Sequence, residues 1–284
     1  MRQVGLVMCG LVLWPVAAPA QWVNFATPGT PRRPDGMPDL SAPVPRTADG
    51  KPDLSGVWMH EISTPEQMKR VFGNRYDSTV KVDVPGMELG TQHRYAFDIL
   101  QDFQPEDALL RPEAAVAMRR GTSFADPAGL CDRVPGFPLA DFLSEPMKIV
   151  QAPRLTVFLY EVGNLHRQIY TDGRDLPKEF ELPAYLGYSV GRWDRDTLVV
   201  ETAGFNDQTP LDAAGHPHSE ALRVVERYHR RDFGHLDVEM TFDDPRMYTR
   251  PFTIKVPHDL LADGDIYESF CHENEKDRPH LEKK

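Results

Sequence analysis

From Pro146 onward, the chain is a succession of short runs in which apolar and polar residues alternate. Runs such as LTVFLYEV, TLVVETAGF and HLDVEMTF are separated by turn signals, including Gly163-Asn164 and the acidic turn at 194–196. Together with LSGVWMH at 54–60, they indicate nine or ten strands. A meander of that length has to close on itself to hide its edges. The sequence therefore predicts a mainly β fold, an antiparallel up-and-down barrel of about 8–10 strands.

The segment 61–146, directly after the first strand, has a different sequence pattern: it contains helix-capping signals and lacks the alternation of apolar and polar residues. Ser63 is expected to cap a helix that has a proline in its first turn and ends at a glycine. A second helical pattern covers 105–121, and a shorter one covers 138–146. We therefore expect a loop and helix insertion near one mouth of the barrel.

The ends of the chain predict export and a single domain. Residues 1–20 combine a basic start, an apolar core and a small-residue APA site, which is the pattern of a secretory signal peptide. This pattern predicts a periplasmic or secreted location. Residues 21–52 are expected to form a Pro-rich extended arm, in which PDGMPDLSAP is echoed by ADGKPDLSGV. The barrel domain is placed at 53–275 and a C-terminal tail at 276–284.

The amino-acid composition limits the classes of partner that the protein is expected to bind. The chain has 43 acidic and 32 basic residues, a formal net charge of −11, and no basic block, which argues against nucleic acid as a partner. After the signal, no apolar run is long enough to cross a bilayer. Export would leave two cysteines, Cys131 and Cys271, which predicts a disulfide in an oxidising compartment; two free buried thiols are the alternative.

Nucleophile and cofactor motifs are absent from the sequence. It contains no G-x-S-x-G, phosphate loop, dinucleotide fingerprint or H-E-x-x-H, which disfavours serine hydrolases and nucleotide enzymes. No cofactor is predicted. The expected partner is a small apolar or aromatic molecule, and the oligomeric state is left open.

Carboxylates interrupt two apolar strand faces, and these are the first candidate site. With a period of two, the faces are Leu222, Val224, Glu226 and Tyr228 on one run, and Ile266, Glu268, Phe270 and His272 on the other. A carboxylate that points inward needs a partner or a function. One hypothesis is a polar acid–base cluster in an apolar pocket. The alternative is a structural ion pair with Arg167 or Arg192.

The stretch GHPHSE offers a second candidate, with His216, His218 and Glu220 at alternate positions. Pro217 removes a ladder donor, so the stretch is expected to be a loop at the barrel rim. The three side chains could hold a metal ion, or His218 and Glu220 could act at the pocket mouth without one. An ordinary polar loop is the third interpretation, and the most economical.

The stretch IYTDGRDLP supplies Tyr170 and Arg174. The Asp-Gly pair is first of all turn chemistry. Arg174 could also present its guanidinium fork to an anionic ligand. Tyr170 and Arg174 are therefore counted with Glu268 and Phe270 as candidate ligand-binding residues.

Gly56-Val57-Trp58 resembles the G-x-W motif of lipocalin-like barrels, in which the tryptophan closes one end of the barrel, often beneath an arginine from a late strand. PDLSGVW, GRWDRDTLVVET and PHSE resemble stretches of a family of secreted bacterial proteins without an assigned activity. This second resemblance spans roughly residues 45–275 and supports the domain limits, but it implies no reaction.

Two functions follow from these observations. The first is a binding protein that holds a small apolar or aromatic ligand in its barrel cavity. The alternative is a cofactor-free lyase, isomerase or hydrolase in the same cavity, with acid–base residues drawn from Glu226, Tyr228, His272, His218 and Glu220.

Overall fold

The structure of the protein is a computed structural model, which describes residues 26–79, 93–104, 107, 109–120, 135–143 and 145–268. Ten strands form one sheet. In chain order they are β1 Gly56–His60, β2 Met147–Ala152, β3 Leu155–Tyr160, β4 His166–Tyr170, β5 Tyr188–Asp194, β6 Thr197–Ala203, β7 Arg223–Arg230, β8 His235–Asp243, β9 Phe252–Lys255 and β10 His258–Leu260.

The sheet closes into a barrel. Neighbouring strands follow the chain from β1 to β9, and β10 pairs with both β1 and β8. Nine strands therefore complete the ring, while β9 extends along the other end of β8, with its Ile254 opposite Met240. The predicted mainly β barrel of about 8–10 strands is confirmed.

One pairing departs from the antiparallel prediction. β4 and β5 run parallel, with Ile169 opposite Ser189 and Tyr170 opposite Val190. The connection over 171–187 explains this geometry, because parallel neighbours need a crossover of a dozen or more residues, whereas a hairpin turn can only join antiparallel ones. A simple meander contains no such crossover.

The last strand lies elsewhere than predicted. The described residues of the DIYESF run, 265–268, are irregular, and the barrel closes through β10 instead. Once β10 pairs with β1 and β8, the ring has no free edge to which a further strand could add. Residues 261–268 therefore pass through a turn and belong to no strand of the barrel.

The insertion between β1 and β2 is helical in part, as predicted. Its helices are α1 Pro65–Phe72, α2 Tyr76–Thr79 and α3 Pro112–Arg120. Short 3-10 turns cover Gly73–Arg75, Arg94–Ala96 and Leu139–Asp141. The cap of α1 lies one residue later than expected: Thr64 accepts from the Gln67 amide, and the Gln67 side chain accepts from the Thr64 amide. Ser63 instead accepts a hydrogen bond from the Arg94 amide within the insertion.

The end of the barrel away from the insertion is closed by Trp58. Its indole Nε1 donates to the Leu54 carbonyl at 2.9 Å, and the Arg230 guanidinium lies 4.9 Å from the ring centroid. Arg230 also donates to the backbone carbonyls of Asp53 and Phe233. An arginine from a late strand over the tryptophan is the arrangement that the lipocalin resemblance implied.

The arm does not form a single extended run. Residues 31–41 and 45–55 form two loops with matching internal hydrogen bonds, such as Arg33 to Met37 in the first and Thr47 to Lys51 in the second. Each loop presents an arginine to an aspartate of the barrel domain, with Arg32 on Asp263 at 2.6 Å and Arg46 on Asp196 at 2.8 Å. The sequence echo is therefore a structural repeat.

Several predictions fall on residues outside the described ranges. The signal peptide at 1–20, the C-terminal tail and both members of the Cys131–Cys271 pair are among them. Within the described ranges, no helix is sufficiently long and apolar to cross a membrane.

Candidate functional site

In β7 and the turn before it, the residues that face the barrel interior are those that the alternation predicts. Leu222, Val224, Glu226 and Tyr228 are all 0 % exposed, whereas the intervening residues from Arg223 to His229 are exposed. A shift of one residue in the strand register would reverse this pattern, so the prediction for this strand is confirmed.

Glu226 forms a buried ion pair with Arg167 of β4. Arg167 Nη1 donates to Glu226 Oε1 at 2.9 Å, and Nη2 donates to Oε2 in a bidentate arrangement. Tyr228 donates its hydroxyl hydrogen to the same carboxylate at 2.5 Å. Of the two arginines that the sequence offers as partners, Arg167 makes the contact; Arg192 lies on the surface and contacts Asp175.

The remaining contacts of Arg167 hold its guanidinium in place. Nε donates to Ser189 Oγ at 3.0 Å, Nη2 donates to Thr202 Oγ1 at 2.6 Å, and the two hydroxyls are 3.0 Å apart. The ring of Phe137, contributed by the insertion, lies 4.6 Å from the guanidinium carbon. Burial opposes the charge, but the carboxylate of Glu226 keeps the pKa of Arg167 well above its ordinary value.

Two polar side chains beside this pair have no hydrogen-bond partner among the described residues. Asp141, on the 3-10 turn of the insertion, and Tyr160, at the end of β3, are 5 % and 2 % exposed. Neither oxygen of the Asp141 carboxyl, nor the Tyr160 hydroxyl, makes a hydrogen bond within the described part of the chain. Buried polar atoms in proteins are rarely left this way.

The environment of Asp141 favours its protonated form. Burial, reinforced by the negative charge of Glu226, raises the pKa of Asp141 to about 7, although Arg167 and the Tyr160 hydroxyl act in the opposite direction. Burial and the nearby Asp141 likewise raise the pKa of Tyr160 well above its ordinary value.

The polar cluster, meaning Asp141, Tyr160, Arg167, Glu226 and Tyr228, thus contains two carboxyl groups in contrasting environments. Glu226 has a counter-charge and four hydrogen-bond donor atoms, two on Arg167 and one each on Tyr228 and Thr202. Among the described residues, Asp141 has no counter-ion at contact distance and no donor in hydrogen-bond geometry, although the Tyr160 hydroxyl is near enough to lower its pKa. Two acids separated in this way can carry different roles, one held as a carboxylate and one able to give or take a proton near neutral pH.

The loop candidates do not join the cluster. His218 is 3 % exposed and packs edge-on against Phe205 at 5.9 Å between ring centroids. Its Nδ1 contacts the Ser219 carbonyl at 3.3 Å, its Nε2 is buried without a partner in the described chain, and burial lowers its pKa. Phe205 in turn stacks on Phe137, so two aromatic rings separate His218 from Arg167. Glu220 is exposed.

His216 turns away from its neighbours in GHPHSE and contacts Asp212 at 2.5 Å. Among the described residues, the only three-member group with ligand atoms close enough to share a metal ion is Asp98, Asp212 and His216. The structure therefore does not bring together the set of His216, His218 and Glu220 that the alternation suggested, because Pro217 lies between the two histidines in an irregular loop in which alternate side chains do not share a face.

Tyr170 and Arg174 do come together, but on the surface. The Arg174 guanidinium lies 3.8 Å from the Tyr170 ring centroid and donates to the Tyr188 hydroxyl at 2.9 Å. The same guanidinium is already bound to the carboxylate of Asp172, with Nη2 at 2.7 Å from Oδ2. The fork that was expected to meet an anionic ligand is thus occupied by a neighbouring side chain.

The run that was predicted to supply the second strand face of the acid–base cluster, 266–272, forms no strand where the structure describes it. Glu268 is exposed in an irregular segment, so the expectation that it points into the barrel is wrong. The ring is already closed by β10, which leaves this segment without a strand to pair with. Phe270 and His272 lie outside the described residues.

Sequence reasoning missed Asp141 and Tyr160, although a partial signal existed. Tyr160 continues the inward face of β3, with Phe158 and Thr156 also buried on that side. Arg167 interrupts a buried face in the same manner as Glu226, which marks the two as an ion pair. For Asp141, the sequence PLADFL offers no periodicity that distinguishes an inward carboxyl from a surface one.

A groove of about 700 Å³ lies at the other end of the barrel, between the arm, the start of β1 and residues 261–267. Its buried cation, Arg230, is committed to backbone carbonyls and to the Trp58 ring. We therefore place the candidate site at the polar cluster, where buried polar atoms lack partners among the described residues. In comparisons with known proteins, no protein-family model, curated protein or solved structure matches this chain.

Proposed function

We propose that this chain is an exported barrel protein that binds a small apolar or aromatic molecule through one polar group, inside the barrel at Asp141 and Tyr160. Export is supported by the signal-like residues 1–20. The ligand type is supported by aromatic rings that border the polar cluster, among them Phe137 and Phe158.

The observation that carries the proposal is the set of three buried oxygens without a hydrogen-bond partner in the described chain, two on Asp141 and one on Tyr160. Leaving a buried polar atom unpaired costs about 1–3 kcal/mol, so a site that keeps three of them gains stability from a molecule that satisfies them. A hydroxyl or amino group can donate to the Asp141 carboxyl and also engage the Tyr160 hydroxyl.

The ion pair has a supporting role in this proposal. Glu226 and Arg167 are saturated by each other and by Tyr228, Ser189 and Thr202, so they form a rigid polar floor. Burial, reinforced by the negative charge of Glu226, raises the pKa of Asp141 to about 7 and so keeps that carboxyl protonated at mildly acid pH. A protonated Asp141 can also donate to a carbonyl group of the ligand.

A second candidate function, a cofactor-free lyase, isomerase or hydrolase, is favoured by one specific observation. The pKa of Asp141 is about 7, the range in which a carboxyl group serves best as a general acid or base. In that case Asp141 transfers the proton, and Glu226 keeps its charge throughout and sets the basicity of Asp141.

Native mass spectrometry of the protein purified from its own host tests the binding proposal. We expect a bound small molecule in the wild type and a lower occupancy in Tyr160→Phe, because the variant loses one hydrogen bond of about 1 kcal/mol, or about fivefold in affinity, without a change to the ring. Tyr170→Phe, a matched change on the surface, should retain full occupancy. Equal occupancy in wild type and Tyr160→Phe would place the ligand elsewhere.

The same samples separate the two functions. A lyase or hydrolase changes the mass of its substrate, so Asp141→Asn should hold a molecule whose mass differs from that found in the wild type. An isomerase leaves the mass unchanged, and its substrate and product would differ in chromatographic retention instead. A binding protein holds the same molecule in both, at lower occupancy in the variant. Liquid chromatography with mass spectrometry of the extracted molecules therefore distinguishes catalysis from binding even when the substrate is unidentified.

A further inference from the structure

Asp98, Asp212 and His216 converge where the insertion meets the loop before β7. Asp98 belongs to the 93–104 segment, and Asp212 and His216 belong to the loop. His216 Nδ1 is 2.5 Å from Asp212 Oδ2 and 4.0 Å from Asp98 Oδ1. One ligand atom from each of the three residues lies within 4.8 Å of the other two.

Backbone amides hold both carboxylates in position. Asp212 accepts from the Ile99 amide at 2.6 Å through Oδ2 and from the His216 amide at 3.1 Å through Oδ1. Asp98 accepts from the Leu100 amide at 2.9 Å. Hydrogen bonds that orient the carboxylates in this manner are typical of the outer shell of a metal site.

The exposure of the three side chains is uneven. Those of Asp212 and His216 are 0 % and 6 % exposed, whereas that of Asp98 is 38 % exposed. The group therefore has a buried side, which excludes water, and an open side at Asp98. The two carboxylates concentrate negative charge at this point, and a cation bound between them and the imidazole would neutralise it.

We infer that Asp98, Asp212 and His216 form a site for a divalent transition-metal ion such as Zn²⁺. One imidazole nitrogen with two carboxylates suits zinc, whereas calcium and magnesium prefer oxygen ligands alone. Bonds of about 2.0–2.2 Å set neighbouring donor atoms roughly 3.3 Å apart. The Asp212–His216 contact of 2.5 Å therefore has to open, and Asp98, which lies 4.0 Å from His216 and within 4.8 Å of Asp212, has to move inward through a side-chain adjustment.

Three protein ligands leave a coordination position free, and the exposure of Asp98 places it towards solvent. A water molecule or a small anion would complete the coordination there. The ion would also cross-link the insertion to the loop before β7, an interface that already contains the hydrogen bond from the Ala213 amide to the Ala96 carbonyl. This inference does not depend on the ligand site at Asp141.

Calorimetric titration of the chelator-treated, full-length mature protein with ZnCl₂ at pH 7 is the test. We expect one ion per chain, at least tenfold weaker binding in Asp98→Asn, and no binding in His216→Ala. Asp207→Asn and His229→Ala alter an exposed carboxylate and an exposed imidazole, and should bind as the wild type does. Binding should weaken at pH 5.5, because protons compete for the imidazole.

Asp98→Asn is the decisive variant, because it leaves the Asp212–His216 hydrogen bond in place and should fold even if His216→Ala does not. Equal zinc affinity in Asp98→Asn and wild type would overturn the inference, as would the lack of a one-to-one complex in the wild type. X-ray absorption at the zinc edge provides an independent readout. A single imidazole with oxygen ligands supports the site, whereas sulfur ligands or several imidazoles would assign the ion to other residues.

Discussion

Replacing Asp141 by asparagine removes an ionisable group and nearly preserves the size and shape of the side chain. In the folded protein, burial and the charge of Glu226 raise the pKa of Asp141 from its ordinary value of 3.8 to about 7. The folded state therefore holds a proton on Asp141 over a pH range in which the unfolded chain has released it. Stability decreases as pH rises through that range, because the unfolded state binds fewer protons.

The size of the effect follows from the two pKa values. Each pKa unit corresponds to about 1.4 kcal/mol, so a difference of about three units makes Asp141 destabilising by about 4 kcal/mol once the pH exceeds 7. Below pH 4 the residue is protonated in both states and the penalty vanishes. Asparagine resembles the protonated acid at every pH, so Asp141→Asn should match the wild type near pH 4 and be more stable at pH 8.

Urea unfolding followed by tryptophan fluorescence, at pH values from 4 to 8, measures this difference directly. The free energy of unfolding of Asp141→Asn minus that of the wild type should rise with pH and approach about 4 kcal/mol at pH 8. Asp237→Asn, a partly exposed change on β8, should show no such rise. A flat difference for Asp141→Asn would show that the carboxyl has a partner or water contact in solution, and would remove the main support for a ligand site at Asp141.

Three further changes test other parts of the molecule. Glu226→Gln should cost about 3–5 kcal/mol in urea unfolding, because it leaves a buried guanidinium without its counter-charge, whereas Glu239→Gln, in a surface pair, should cost under about 1 kcal/mol. Burial, with a smaller effect of nearby His60, lowers the pKa of His258 to about 3. Below about pH 6.5 the unfolded chain therefore binds a proton at this residue and the folded protein does not, so the free energy of unfolding falls; His258→Asn should remove about 2 kcal/mol of that loss between pH 7 and pH 5. Peptide mapping of exported protein without reductant should find Cys131 bonded to Cys271, a link worth about 4–5 kcal/mol; recovery of both as free thiols would contradict it.

The barrel was predictable because its strands are short, separated by turns and alternate in polarity. Burial alternates at each of the eight positions of β7, RVVERYHR, although the buried side includes the charged residues Glu226 and Arg230 and the exposed side includes Val225. Closure was harder to predict, because it depends on which strand reaches the first one. The run at 265–268 and the three residues of β10 are both short segments of mixed polarity, and only the pairing of β10 with β1 and β8 separates them.

The polar cluster was predictable in part for the same reason. Glu226 and Tyr228 are recognisable because they share a strand face with Leu222 and Val224, so their neighbours along the strand indicate where they point. Arg167 is marked as a partner by its charge and by its place on the same strand face as the buried Ile169. Asp141 lies on a single 3-10 turn of the insertion, where no repeating pattern relates its direction to that of its neighbours.

The features that distinguish the two carboxyl groups arise from contacts between distant segments. Glu226 is neutralised by a residue 59 positions away in the chain, and Asp141 is brought to the same place by an insertion that covers the barrel mouth. If the cluster served stability alone, an uncharged side chain at 141 would serve it better, because an unpaired buried carboxyl weakens the fold at neutral pH. We therefore expect Asp141 to contribute to function and not to stability. A molecule that donates hydrogen bonds to the Asp141 oxygens provides that gain. We therefore expect Asp141→Asn to be more stable than the wild type and to bind the ligand less tightly.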